Sequence, residues 1–339
     1  MAKNDNVDFT VIVLDGALSS AVAVTLDMLG AADQFTQALG IGRGLRWVVR
    51  SPGKKADLGT GMHMSTLPLT SRTRLGRSTV VLPGLHLLPL AAFRAGEDPR
   101  LYLSRRCQAS DIQELLLPLL RRHHSRGGAI AASCSSTLLL GMAGLLEGRR
   151  ATTHWALGDW LKQISPACQV DAARMVVEDA NITTAGAAMG QVDLMLHLLG
   201  RRVGSKVVDL VLKNLLLDRR SSQALYAVWQ RLAVQSPLTT RIEDLVVASL
   251  PEVPSLQELS SQLCVSSRTL ARRIAKETGG TPHQFIQAIR MRKAQLLLET
   301  TTLPVSEVAA RVGYADPSGL HRLTRHLAKR APGRLRPRD

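Results

Sequence analysis

Ser255-Leu256-Gln257-Glu258-Leu259, continued by Leu263-Cys264-Val265-Ser266 and by Arg268-Thr269-Leu270-Ala271-Arg272-Arg273-Ile274, is the stretch on which the reading of the fold turns. Ser255 with Glu258 three residues later forms a capping box, which starts a helix at Leu256. Leu256, Leu259 and Leu263 then share one face. Ser266 can cap a second helix whose Leu270 and Ile274 point inward. Arg268 and Arg272, four residues apart, share its outer face. A short helix, a tight turn and a second helix with a basic outer face make a helix-turn-helix unit.

The pattern occurs again further on. Val305, Val308, Ala309 and Val312 give an inner stripe, and Gly313 suits a left-handed helix end. Asp316-Pro317 is an N-cap followed by a first-turn proline. Leu320, Leu323 and Leu327 then face inward, with Ser318, His321, Arg322 and Arg325 outside. Between the copies, Thr281-Pro282-His283-Gln284 is a second capping box. It opens a helix with apolar Phe285, Ile286, Ile289, Leu297 and Leu298 and basic Arg290, Arg292 and Lys293. Two readers on one face of B-DNA sit about 34 Å apart, so the linking helix must be stiff. Arg268, Thr269, Arg272, Ser318, His321, Arg322 and Arg325 are the expected DNA-facing residues. Arg290 and Arg292 are expected either to position the phosphate backbone or to support the linking helix.

The formal net charge of the 339-residue chain is +16, which points to a polyanionic partner. Aromatic residues make up only 3%, which argues against single-strand stacking platforms. Cys107, Cys134, Cys168 and Cys264 are scattered without metal-ligand or disulfide spacing, so no metal, cofactor or disulfide framework is expected. The N-terminal residues lack a signal peptide's apolar core and no apolar run reaches membrane-spanning length, so a cytoplasmic protein without membrane contact is expected.

Upstream, Phe9-Thr10-Val11-Ile12-Val13-Leu14 reads as a buried strand followed by a loop at Asp15-Gly16. Ser20 to Phe35 reads as a helix, Arg46 to Arg50 and Thr79 to Leu82 as strands, and Pro83-Gly84 as a turn. Asp111 to His124 is a helix that Pro118 should kink or interrupt. Gly128 to Ala132 is a strand and Ser135 to Gly144 a helix. This alternation implies a mostly parallel sheet covered on both faces. At the strand-to-helix turn stands Ser133-Cys134-Ser135-Ser136. A thiol there can be exposed above the sheet, with backbone N–H groups to hold an anion. His123-His124 reads as a solvated basic helix end, His197 as a satisfied core residue, and His86 as close enough to Pro83-Gly84 to line a pocket. Residues 201–235, with Val207, Val208, Val211, Leu225, Val228 and Trp229, read as amphipathic linker helices.

The C-terminal stretch from Ser236 to Arg336 resembles the AraC/XylS transcription regulators. The resemblance lies in Ser266-Ser267-Arg268-Thr269-Leu270-Ala271-Arg272, Thr278-Gly279-Gly280-Thr281-Pro282, Ile289-Arg290-Met291-Arg292-Lys293-Ala294 and Glu307 to Ser318. Leu320 and Thr324 stand where that family has phenylalanines and Lys329 where it has glycine, so a looser second unit is expected. Residues 7 to 220 are similar to PfpI-like, class I glutamine amidotransferase-like domains, through Ala143 to Trp155, Ile182 to Ala187 and Asp193 to Leu199.

Together these imply three segments. Residues 7–200 form an α/β sensor and dimerisation domain, a flavodoxin-like sandwich on a parallel sheet. Residues 201–235 form a helical linker, and 236–338 an all-α DNA-binding domain with two helix-turn-helix motifs. The PfpI resemblance puts Cys134 at the elbow, His154 as its nearest partner and Gly84-Leu85 as opposing N–H donors. The acidic residue that hydrolases of that superfamily need is missing from Ala17-Leu18-Ser19-Ser20-Ala21. The expectation is therefore a ligand pocket and no catalytic residue. Its lining is Asp15, Ser20, Gly84, Leu85, Cys134, Ser135 and His154, and a small carboxylate or amino-acid-like effector fits the helix N-terminus. The function expected is a ligand-responsive activator, homodimeric, acting on promoter duplex and RNA polymerase. The alternatives are a cysteine hydrolase or amidotransferase-like enzyme fused to a DNA-binding domain, and an architectural DNA-binding protein without a ligand.

Overall fold

The computed structural model describes residues 7–59, 61–87, 98–220, 222–223, 237–278, 281–327 and 331–335. The chain divides into two compact units, Met1–Gln223 and Ala224–Asp339. Of the expected features, Leu225, Val228, Trp229, Ser236, Gly279, Gly280, Lys329 and Arg336 lie outside the described residues.

In the first unit, β1 (Phe9–Ile12) leads into α1 (Ser19–Ala38), followed by β2 (Trp47–Ser51), β3 (Lys55–Asp57), β4 (His63–Ser65), β5 (Leu67–Pro68) and β6 (Thr79–Leu82). Helix α2 (Pro99–Cys107) follows, then a π-helical turn at Asp111–Leu116 that runs into α3 (Leu117–Ser125). Strand β7 (Ile130–Ser133) passes through a 3-10 turn at Cys134–Ser136 into α4 (Thr137–Met142). Then come β8 (Arg150–Ala151), α5 (Gly158–Ile164), β9 (Gln169–Val170), β10 (Val176–Asp179), β11 (Ile182–Ala185), α6 (Gly190–Val203) and α7 (Ser205–Asn214).

The main sheet has seven strands in the order β10-β11-β7-β6-β1-β2-β5. All neighbours run parallel except the edge pair β10–β11. The inner strands carry unbroken apolar runs because both faces are covered. Val11, Val80, Val81, Leu82, Ala131 and Ala132 are fully buried. Helices α1, α6 and α7 pack together as one layer, and α3, α4 and α5 as another. Pro118 does not break its helix. Leu117 N–H bonds Ile112 O five residues back, so the ladder is already widened where the proline lacks a donor.

The expected linker at 201–235 is divided. Val207, Val208 and Val211 on α7 are completely buried in the core of the first unit. Burying a valine contributes about 1.5–3 kcal/mol, so α7 is held as part of that unit.

The second unit contains α8 (Pro237–Ser249), α9 (Leu256–Gln262), α10 (Ser267–Thr278), α11 (Pro282–Thr300), α12 (Val305–Arg311) and α13 (Pro317–Leu327). It has two small cores. Ile242, Val246, Leu259, Leu270 and Ile274 form one with Phe285, Ile286, Ala288 and Ile289 of α11. Val308, Ala309, Val312, Leu320 and Leu323 form the other with Met291, Ala294 and Leu298 of α11. The 19-residue α11 therefore threads both, over about 28 Å at 1.5 Å per residue. Both expected capping boxes are present, Ser255 with Glu258 and Thr281 with Gln284. The two positions expected to loosen the second unit lie inside it. Leu320 and Thr324 are fully buried, and the Thr324 hydroxyl donates to His321 O.

The two turns share one backbone device. Cys264 in the first helix-turn-helix has φ +52° and Gly313 in the second has φ +82°, both left-handed. A side chain in that region costs about 1–2 kcal/mol. At Gly313 a Cβ would also lie 2.4 Å from Pro251 O. Cys264→Gly should therefore stabilise the second unit by up to about 1 kcal/mol, whereas Gly313→Ala should destabilise it by about 1–3 kcal/mol. Denaturation midpoints that move the same way in both variants would contradict the assignment.

Candidate functional site

The outer faces of α10 and α13 carry the expected DNA-facing side chains. Arg268, Arg272, Ser318, Arg322 and Arg325 are exposed, and Thr269 and His321 half-exposed. Ser266 caps α10 by accepting Thr269 N–H at 3.2 Å, and its hydroxyl donates to Thr269 Oγ1 at 3.0 Å. Asp316 caps α13 through Ser318 N–H at 2.7 Å, a bond that holds its carboxyl below the usual range. Arg322 Nη1 donates to Ser318 Oγ at 3.1 Å.

Arg290 is not among the exposed cations. It is buried, donates from Nε to Val312 O and from Nη2 to Gly313 O, each at 2.8 Å, and stacks on Tyr314 at 3.7 Å. Of the two expected roles, phosphate contact is thereby lost and support of the linking helix remains. Arg292 is exposed and pairs with Glu243 at 2.6 Å, tying α11 to α8.

In the first unit the structure brings together the three loops expected at the strand ends. Leu18 N–H bonds Gly84 O and His86 N–H bonds Gly16 O, both at 2.8 Å. Cys134 follows β7 at φ +55°, a strained elbow as expected, but it is 1% exposed. The 83–85 turn is fastened onto it. Gly84 N–H donates to Ser133 Oγ at 3.1 Å, and Leu85 N–H to Ser135 Oγ at 2.8 Å. Ser135 and Ser136 return bonds to Leu85 O and Pro83 O at 2.7 and 2.6 Å. Any Cβ on Gly84 would lie 2.7 Å from Cys134 Cβ.

The expected use of Gly84 and Leu85 as free N–H donors therefore fails, because both groups already hold serine hydroxyls. Burial pushes the Cys134 thiol up to about 11. Burial also lowers His154 to about 4, and its Nδ1 accepts Ala156 N–H at 3.1 Å. Burial thus favours the neutral thiol and the neutral imidazole over the thiolate–imidazolium pair of an activated cysteine.

Asp15 and Ser20 are exposed and share no accessible wall with the thiol. Asp15 accepts Asp57 N–H at 2.9 Å, and its carbonyl accepts Arg106 Nε–H at 3.0 Å. Above the closed elbow, the Tyr102 hydroxyl lies against Gly16 and the His86 ring against Gly59. His86 Nε2 is buried without a hydrogen-bond partner among the described residues.

Two other histidines differ from expectation. His123 is buried, with Nε2 3.3 Å from Ala129 O and its pKa lowered by burial. His197 is half-exposed, with Nε2 2.7 Å from Glu178. Sequence reasoning also missed Thr153 and Gly186, which hold the Cys134 peptide from both sides. The Thr153 hydroxyl donates to Cys134 O, and Cys134 N–H donates to Gly186 O, both at 2.8 Å. No local pattern marks such contacts. Among the described residues no helix is long and apolar enough to cross a membrane.

Residues 259–338 match a helix-turn-helix domain model and residues 105–201 a DJ-1/PfpI family model. The chain thus carries a helix-turn-helix domain and a DJ-1/PfpI domain, and it is similar to transcriptional regulators. The HTH-type transcriptional regulator CdhR of Pseudomonas aeruginosa is 29% identical over 225 residues, 65% of this chain and 66% of that protein. GbdR of the same species is 28% identical over 200 residues, 58% of this chain and 54% of its own length. The chain thus spans between about half and two-thirds of these regulators. An enzyme, isonitrile hydratase of Pseudomonas putida, is 36% identical over 98 residues, 29% of this chain and 42% of that protein. The segment that matches the DJ-1/PfpI family includes Cys134 but not the 83–85 turn that closes over it.

Two measurements check this chemistry. At pH 7.5 a thiol with a pKa near 11 is ionised in roughly one molecule in three thousand. Native alkylation should therefore label the exposed Cys264 more than about a hundredfold faster than Cys134. Comparable rates would mean the elbow is open. His154 ionises near 4 when folded and near 6.5 when free, so its contribution to stability is complete above pH 6.5. That contribution should fall by up to about 3 kcal/mol as the pH drops toward 4, and His154→Gln should flatten the slope.

Proposed function

We propose that the protein is an effector-responsive, sequence-specific DNA-binding transcription regulator. One observation carries this reading. Two exposed arginine-bearing helices, α10 and α13, sit on separate cores threaded by one continuous helix. That arrangement supports two readers at a fixed separation in successive major grooves. Arg268 and Arg272 in α10, and His321, Arg322 and Arg325 with Ser318 in α13, are the residues assigned to base edges and phosphates. Arginine bidentate to guanine is the commonest specific contact.

The first unit serves as the sensor in this reading. Its effector seat is the mouth above the elbow, at Gly16, Gly59, His86, Tyr102 and Arg106. The unpaired His86 Nε2 favours a small molecule with a polar group, while the Arg106 guanidinium at the rim is held by Asp111 at 2.7 Å and by Asp15 O. A cysteine hydrolase is disfavoured by the spent N–H donors and the reversed order of the thiol and imidazole pKa values. The partners proposed are promoter duplex, RNA polymerase and a second copy of the chain, in the cytoplasm. The exposed Met62, and Leu67 on the sheet-edge strand β5, offer apolar surface for pairing of the first units.

The test is to select duplexes from a random library with the full chain and repeat the selection with variants. Arg268→Ala should relax preference at one base pair by about 1–3 kcal/mol. Arg290→Met should lower the stability of the second unit while leaving base preference intact. Failure of the parent protein to enrich any duplex would sink the reading.

A further inference from the structure

Gln223 is the last residue of the first unit, and the chain runs on from it toward the DNA-binding unit. A residue in that place would ordinarily be a solvated tether. Instead Gln223 is fully buried. Its carboxamide oxygen accepts Ala187 N–H at 2.8 Å. Its amide nitrogen donates to Thr153 O at 2.7 Å, with Thr152 Oγ1 and Arg174 O at 3.3 Å. Its backbone N–H donates to Ala173 O at 2.9 Å, and the preceding Ser222 hydroxyl donates to the same oxygen at 2.9 Å. Upstream, Arg220 pairs with the buried Asp193 on α6 at 2.7 Å.

The residues that hold Gln223 also hold the elbow. Thr153 takes the Gln223 amide on its carbonyl and gives its hydroxyl to Cys134 O. Gly186 accepts Cys134 N–H, and a Cβ on it would fall 2.4 Å from the Gln223 carboxamide. The peptide of Cys134 and the exit strap, described at Arg220, Ser222 and Gln223, are therefore linked through one intervening residue on each side. A displacement of the elbow by a fraction of an ångström has to be taken up at Thr153 and Gly186, and both bear directly on Gln223. Buried hydrogen-bonded networks of this kind have discrete rather than graded arrangements.

We propose that the Gln223 side chain is the output latch of the first unit. Docked between Thr153 and Ala187 it holds the exit strap, and movement of the elbow releases it. This rests on the sensor reading of that unit, and supplies the physical route from sensor to reader that the reading requires. Coupling of this kind is reciprocal, so loosening the strap must loosen the elbow.

The test uses the full chain with no effector. Gln223→Ala removes the latch. Gly186→Ala leaves Gln223 whole but places a methyl where its carboxamide sits. Gln223→Glu keeps size and the Ala187 contact but loses the donors, which preserves the test if the alanine variant does not fold. Amide hydrogen exchange should rise by about tenfold or more both at 218–223 and at 132–137, while strands β1 and β6 keep their protection. Affinity for a duplex selected by the parent chain should shift by about fivefold or more, in the same direction for each variant. Faster exchange in the strap with an unchanged elbow overturns the latch, as does coupled exchange with unchanged duplex affinity. A parent chain that selects no duplex defeats the regulator reading instead, and the exchange data still decide whether strap and elbow are coupled.

Discussion

The second unit depends on one buried cation. Arg290 sits where α11 passes from the first small core to the second, and it closes the carbonyls at the end of α12. Those carbonyls have no partner within their own helix, and the helix dipole makes that end negative. A guanidinium satisfies both needs at once, with the Tyr314 ring on its face. The turn of the second helix-turn-helix is thus fixed to the linking helix by hydrogen bonds rather than by apolar packing alone. In a chain of formal net charge +16, at least one arginine of the DNA-binding unit therefore works on protein and not on DNA.

The first unit presents a different case. It keeps the strained backbone at Cys134, where a reactive thiol could sit. Everything around that thiol suppresses the reactivity. Serine hydroxyls occupy the N–H groups that would hold an anion, the thiol is buried, and the neighbouring histidine is held neutral. The mechanical content of the elbow persists, a residue in an uncommon conformation gripped on both sides by its neighbours.

Local signals in the sequence were reliable. The capping boxes at Ser255 and Thr281, the left-handed Gly313 and, among the described side chains, the inner stripes of both readers are present, because each is decided within a few residues. The apolar runs at β1, β6 and β7 gave the centre of the sheet for the same reason. The strands β3, β4, β5, β8 and β9 are only two or three residues long, and β10 has mixed polarity, so none shows a period. The inward turn of Arg290, the burial of His123, and the spent donors of Gly84 and Leu85 depend on partners that folding alone brings near. Gln223 is of the same kind, since its nearest hydrogen-bond partner in sequence, Ala187, is 36 residues away.

The continuity of α11 has a consequence for how such chains can change over evolutionary time. Each residue added to an α-helix advances the downstream chain by 1.5 Å and turns it by roughly 100°. One insertion within Pro282–Thr300 would therefore swing the second reader out of phase with a groove the first still occupies. Loops elsewhere can lengthen or shorten with little effect on register. The tract between the two readers should accordingly keep a fixed length among relatives, even where its residues are freely exchanged.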